Sequence, residues 1–210
     1  MRLFRRVPAP TGPVRLHVGS GQESIPGWTN IDNRPLPGVD CVLDVRRGLP
    51  FHDVASIYAE HFLEHLSLDE GLAFLSECRR VLAENGVLRL STPNLDWVWA
   101  THYRSSWPSD ADALRDCLQL NRAFHGWGHR FLYNGPMLEA AARSVGFARI
   151  VFCRYGQSEV PGLAGLERHE TWQDSPELPH VLIIEASGRA ERTKLSKAEL
   201  DEYRRDVGVR

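Results

Sequence analysis

The chain has 210 residues, 42% of them hydrophobic, which is enough to fill one core of ordinary domain size. Its 25 basic and 27 acidic side chains nearly cancel, so no basic field is available to hold a nucleic-acid backbone, and nucleic acid is not an expected partner. Cys41, Cys78, Cys117 and Cys153 are scattered without a CxxC pair, and no apolar run reaches membrane-spanning length; the expectation is a cytoplasmic protein with reduced thiols and no membrane partner.

Residues 1–13 mix charge with prolines and read as a flexible arm. One domain over 14–188 follows. Arg15 to Val18 reads as a strand closed by Gly19-Ser20-Gly21, Trp28 to Asp32 as a second strand, and Val39 to Asp44 as a third, the last two each ending in a carboxylate. Ala55 to Ala59 is a fourth strand. Leu68 to Leu82 has apolar residues at helical spacing, with Asn85-Gly86 as its stop before a fifth strand, Val87 to Ser91. Pro136 to Val145 predicts a helix ended by Gly146, and Ala148 to Phe152 and Val181 to Glu185 complete seven strands. Strand, helix, strand with short connections predicts a Rossmann-like α/β fold: a seven-stranded, mostly parallel sheet with flanking helices. A cap insertion over about 96–134, with a helix near Ala111 to Phe124, interrupts it after the fifth strand. A second irregular stretch, Gly156 to Pro179, carries Glu167, His169 and Trp172 and is placed to close over the same edge. The segment 189–210 is charged and reads as a solvated helix or tail.

In an open parallel sheet ligands bind outside the carboxyl ends of the strands. Gly19 and Gly21 there allow a sharp turn and a close approach of ligand to backbone. Asp32 is placed to accept from both hydroxyls of a ribose, and Asp44 from the exocyclic amine of an adenine. There is no GxGxxG or P-loop, and the short run between Gly21 and Asp32 has no room for a helix facing a pyrophosphate. A ligand with an adenosine and no phosphates suits this pattern, and S-adenosylmethionine is one.

The ordered pieces LHVGSGQ, GWTNID, DVRRGLPF, EHFLEHL and RRVLAENGVLRLSTPN, between Leu16 and Asn94, resemble the class I S-adenosylmethionine-dependent methyltransferases, in particular a small bacterial group of them. The resemblance implies that Gly19, Ser20 and Gly21 contact the methionine and ribose, Asp32 the ribose, Asp44 and Val45 the adenine, and Glu60 and His61 the methionine end. It further implies a small-molecule acceptor, with sugars and secondary metabolites as examples, and S-adenosylhomocysteine as product. The chain departs from most of that superfamily in lacking the first helix.

Methyl transfer to a hydroxyl or ammonium needs alignment and a base, and histidine suits that work near neutral pH. His61, His125 and His129 are the candidate catalytic residues, with His65 beside them. His61 to His65 also spells HxxEH, which in a helix would make a zinc hydrolase. A divalent metal held by His61, Glu64 and His65 with a cap histidine is a milder reading; packing or helix capping is the commoner explanation of Glu64 and His65, so no metal ligand is assigned. A non-catalytic module that binds the same cofactor is the rival of another class. The sequence points to no particular oligomeric state.

Overall fold

The computed structural model describes residues 13–169, 175 and 177–207. The chain runs β1 (Val14–Val18), β2 (Thr29–Asp32), β3 (Cys41–Val42), β4 (Val54–Glu60), α1 (Leu68–Val81), β5 (Leu82–Pro93), α2 (Leu95–His102), α3 (Asp110–His125), α4 (Gly135–Ser144), β6 (Arg149–Phe152), β7 (Val181–Ser187) and α5 (Lys197–Asp206). The seven strands form one sheet in the order β3-β2-β1-β4-β5-β7-β6. All neighbours are parallel except β7, which runs antiparallel to both β5 and β6. The fold is α/β and Rossmann-like. From β1 the chain steps outward to β2 and β3, then returns across β1 to β4; this reversal opens a crevice at the strand ends.

The register sorts the two faces of the sheet. Leu16 lies opposite Ile57, Ile57 opposite Leu88 and Leu88 opposite Ala186, and each is fully buried. On this face α1 lays down Phe74, Leu75 and Cys78, α4 adds Leu138 and Ala141, and α5 adds Leu200 and Tyr203. Each large apolar side chain so buried stabilises by about 1.5–3 kcal/mol relative to exposure. One position along, the other face carries His17, Tyr58, Arg89 and Glu185 in a row. Ile25, Trp28 and Leu163, from irregular segments, cover it.

Two polar devices make that coverage possible. Asn30, 4% exposed, holds the β1–β2 connection in the shape a first helix would otherwise impose. Its Oδ1 accepts from the Ile25 amide at 2.8 Å, and its Nδ2 donates to the Ile25 and Trp28 carbonyls at 3.3 and 3.2 Å and to Asp40 at 2.9 Å. Arg89 is fully buried and donates from Nε to Glu167 and from Nη1 to Glu185, each at 2.6 Å. Glu167 belongs to the irregular stretch after β6, so this pair fastens that stretch to the sheet. Glu167 also accepts from the Gly156 amide at 3.1 Å, and Ser158 donates to Glu185 at 2.5 Å.

Boundaries differ from the sequence reading where local chemistry outweighs pattern. The third strand is two residues long because Pro37-Gly38 turns just before it and Asp44 caps a 3-10 turn, Val45–Arg47, just after it. Helix α1 starts on a capping box, Ser67 with Glu70, and stops at Val81, ahead of Asn85-Gly86. Leu82 already pairs with Val54, and Gly86 sits in the irregular start of β5, where a Cβ would lie 2.6 Å from the Val54 carbonyl oxygen. The cap holds two helices, α2 and α3, rather than one. At the other end α5 is tied down: Tyr203 packs edge-on against Phe131 at 5.6 Å, and Arg204 pairs with Asp69. The 1–13 arm, except residue 13, and Trp172 lie outside the described residues.

Removing one partner of a buried ion pair strands the others in low dielectric. Arg89→Ala is therefore expected to lower stability by about 3–5 kcal/mol in urea unfolding, whereas Arg192→Ala, an exposed contact to Ser76, changes it by less than about 0.5 kcal/mol.

Candidate functional site

A cleft of about 450 Å³ opens at the carboxyl ends of β1, β2 and β4, within the size range of small-molecule sites. Gly19, Asp32, Asp44, Val45, His61 and His65 all line it, with Phe62 and Trp127. Gly19 has a φ of +70°, and a Cβ there would come within 2.5 Å of the Phe62 ring, so the backbone needs glycine on both counts. Ser20 and Gly21 are not cleft-lining residues. The Ser20 amide donates to the Ile31 carbonyl at 3.0 Å, and the Gly21 amide to Asp32 Oδ2 at 2.9 Å, so this loop shapes the cleft through the acid.

Asp32 is 7% exposed. Its Oδ1 accepts from the Arg34 amide at 2.9 Å and from Arg34 Nε at 3.3 Å, and its Oδ2 from the Gly21 amide alone, which leaves a lone pair on Oδ2. Asp44 accepts from Arg46 through the amide, Nε and Nη2, at 3.1, 2.8 and 2.9 Å. The Arg46 guanidinium holds its carboxyl below the usual aspartate range. Val45, 6% exposed, lies at the start of the turn that Asp44 caps.

The tip of β4 is arranged differently from the sequence expectation. Glu60 does not line this cleft. One of its oxygens accepts from the Arg168 amide at 2.8 Å, the His169 amide at 3.0 Å and His169 Nδ1 at 2.7 Å. Burial pushes the Glu60 carboxyl up, but the His169 ring and the two amides outweigh it and bring it down to about 2. The downstream loop thus occupies one oxygen of the carboxylate at this strand tip.

His61 has a φ of +46°, a strained conformation for a non-glycine residue. Its Nδ1 lies 3.2 Å from Glu64 Oε1, while its Nε2 is buried and unpartnered. Burial pushes the His61 pKa down, but the hydrogen bond to Glu64 and the negative charges of Glu64 and Glu60 together outweigh it and raise it. The segment that follows is a single 3-10 turn, Leu63–His65, so HxxEH does not lie in a helix, and the hydrolase geometry of two imidazoles on one helical face is not formed. His129 comes from the cap and stands ring to ring with His65 at 5.3 Å. His125, at the end of α3, is exposed and lies outside the cleft.

A second cavity, of about 960 Å³, lies against the start of β7 and the end of β6 and includes Asn94, Tyr155 and His169 in its wall. His169 and His61 meet edge to face at 5.2 Å, so this pair stands between the two cavities. Sequence reasoning placed His169 in a closing segment without giving it a role; its partner Glu60 lies 109 residues away, a separation that leaves no local signal.

No protein-family model matches the chain, and no curated protein matches it. Solved structures do. The DhpI complex with S-adenosylhomocysteine matches at a TM-score of 0.50 and 13% identity, over 85% of this chain and 78% of that one. A SAM-dependent methyltransferase from Thermotoga maritima matches at 0.52 and 12%, over 85% and 83%. The CMeT domain of the citrinin polyketide synthase matches at 0.52 and 15%, over 89% of this chain and 49% of that one. The chain spans about half the length of several of the structures it matches.

Because folding lowers the Glu60 pKa, the folded state favours the carboxylate; the resulting stability is present above the ordinary glutamate range and is lost as pH falls toward about 2. The stability advantage of the wild-type protein over Glu60→Gln is expected to be on the order of 2 kcal/mol near neutral pH and to shrink steadily through the acid range in urea unfolding. An advantage independent of pH would exclude this linkage. At these identities the likenesses establish the fold alone, a Rossmann-like α/β sheet that this chain shares with the matched structures.

Proposed function

We propose that the chain is an S-adenosylmethionine-dependent methyltransferase acting on a small-molecule acceptor. The observation that carries this reading is the convergence of Gly19, Asp32, Asp44 and Val45 on one cleft at the strand-order reversal. Two carboxylates with spare lone pairs suit a ribose diol and an adenine amine. The β1–β2 connection, pinned by Asn30, holds no helix whose N-terminus would receive phosphates, which weighs against a dinucleotide. The DhpI structure, a complex with S-adenosylhomocysteine, supports the same cofactor.

In this reading the nucleoside lies against Asp32, Asp44 and Val45, with Gly19 as floor and Ser20 and Gly21 shaping it. His61 would stand at the methionine end of a bound cofactor, and an acceptor entering from the second cavity would meet His169. The Glu60 carboxylate fixes the His169 Nδ1–H and leaves Nε2 to act as base. For a hydroxyl acceptor, His169 takes the O–H proton and the oxygen lone pair attacks the methyl carbon. When bound, the cofactor would supply that methyl group on a sulfonium, with the neutral thioether as leaving group. His61 lines the transfer end of the cleft; His125 has no part in this arrangement.

Calorimetric titration with S-adenosylmethionine and S-adenosylhomocysteine, against NAD and ATP, tests the reading. Selective binding of the sulfur nucleosides is expected, weakened by at least about tenfold, or 1.4 kcal/mol, in Asp32→Ala. No binding by a folded protein, or binding untouched by Asp32→Ala, would remove it. A non-catalytic binding module would pass this test, and is separated from the enzyme by methyl transfer that His169→Ala abolishes.

A further inference from the structure

Glu64 is completely buried, yet among the described residues its charged contact is His61 and no lysine or arginine pairs with it. Its two oxygens are held apart: Oε1 faces His61 Nδ1 at 3.2 Å, and Oε2 accepts from the fully buried Thr92 hydroxyl at 3.0 Å. Each oxygen keeps a lone pair beyond these contacts, so the buried carboxylate can also take a cation as ligand. His65 and His129 stand beside it, and one ligand atom from each of the three residues lies within 4.8 Å of the others.

The backbone builds this cluster rather than chance contact. The Glu64 carbonyl accepts from the Arg130 amide at 2.7 Å and the Phe131 amide at 3.2 Å, so the cap segment that carries His129 is fastened to the turn that carries Glu64 and His65. Gly128, at a φ of +83°, and Trp127, at +54°, let the chain reverse just before His129. His129 Nδ1 donates to the Ala123 carbonyl at 2.8 Å, which fixes the tautomer and leaves Nε2 as a lone-pair donor, the arrangement that metal-bound histidines adopt. His61 holds Glu64 in the same supporting way.

We infer that Glu64, His65 and His129 bind one divalent transition-metal ion at the wall of the cofactor cleft. Two imidazoles and one carboxylate suit zinc, cobalt or iron(II) far better than magnesium or calcium. Their spread exceeds the roughly 3.3 Å between donors in a tetrahedral set, a gap that small torsions of the two imidazoles close. Glu64 here is a ligand and the pair of histidines comes from two separate segments, which distinguishes the site from an HxxEH centre. Since His65 and Trp127 also line the cleft, the ion would lie beside the transferable methyl group and would attract an acceptor with an oxygen donor. That last step rests on the methyltransferase reading; the metal site does not.

Titration of the chelator-stripped protein with Co²⁺, followed by visible absorption and calorimetry, tests the inference. One Co²⁺ per chain with the intense visible bands of four- or five-coordinate geometry is expected, displaced by Zn²⁺. His129→Ala and His65→Ala should each weaken binding by at least about tenfold, while His52→Ala, at the far end of β4, leaves it unchanged. Circular dichroism confirms that each variant is folded, and Glu64→Gln, which keeps the shape of the buried group, gives a further ligand test. Absence of a stoichiometric site, or Co²⁺ affinity that survives both histidine substitutions, would overturn the inference. Titration of the same samples with S-adenosylhomocysteine separates the outcomes: cofactor binding without metal binding removes only the metal site, and metal binding without cofactor binding removes only the proposed function.

Discussion

Arg89, buried between Glu167 and Glu185, is the interaction on which the far side of the sheet depends. A guanidinium out of water is stable only with both carboxylates in hydrogen-bonding reach. Meeting that condition draws the stretch after β6 down onto the sheet. Once Glu167 is fixed, the next two residues are fixed with it, and Arg168 and His169 reach the tip of β4. The position of an imidazole beside the cleft thus follows from an ion pair in the middle of the sheet.

The opposite side of the molecule obeys simpler rules. Helices α1, α4 and α5 bury apolar stripes against Leu16, Ile57, Leu88 and Ala186, and their ends are set by local caps such as Ser67 and Asn134. This layer supplies a rigid floor. The crevice above it is created by strand order alone, and the acids at the ends of β2 and β3 fall into it because the chain steps outward before it returns.

Most of this scaffold is legible in the sequence. Apolar strand cores and the carboxylates that follow them mark the sheet and the crevice, since both depend on residues a few positions apart. Ends of elements are less legible: Asn85-Gly86 reads as a helix stop, but the pairing of Leu82 with Val54 has already ended α1. Least legible are the contacts that join distant segments. Glu60 meeting His169, Glu64 meeting the cap through Arg130 and Phe131, and Tyr203 packing on Phe131 depend on loop paths that no periodicity encodes. His125 and His129 look equivalent in HGWGH, yet the reversal at Trp127-Gly128 directs one to solvent and the other to Glu64.

The unequal covering of the two faces has a dynamic consequence. A helical layer unfolds cooperatively with the core, whereas the irregular cover over Tyr58 and Arg89 is held by a few apolar side chains and one ion-pair cluster, so it is the natural unit of partial opening. Its lifting would take His169 away from Glu60 while the floor beneath the acids stayed intact. Loosening of that one surface segment would therefore change the surroundings of His169 and leave the cleft lined by Asp32 and Asp44 in place.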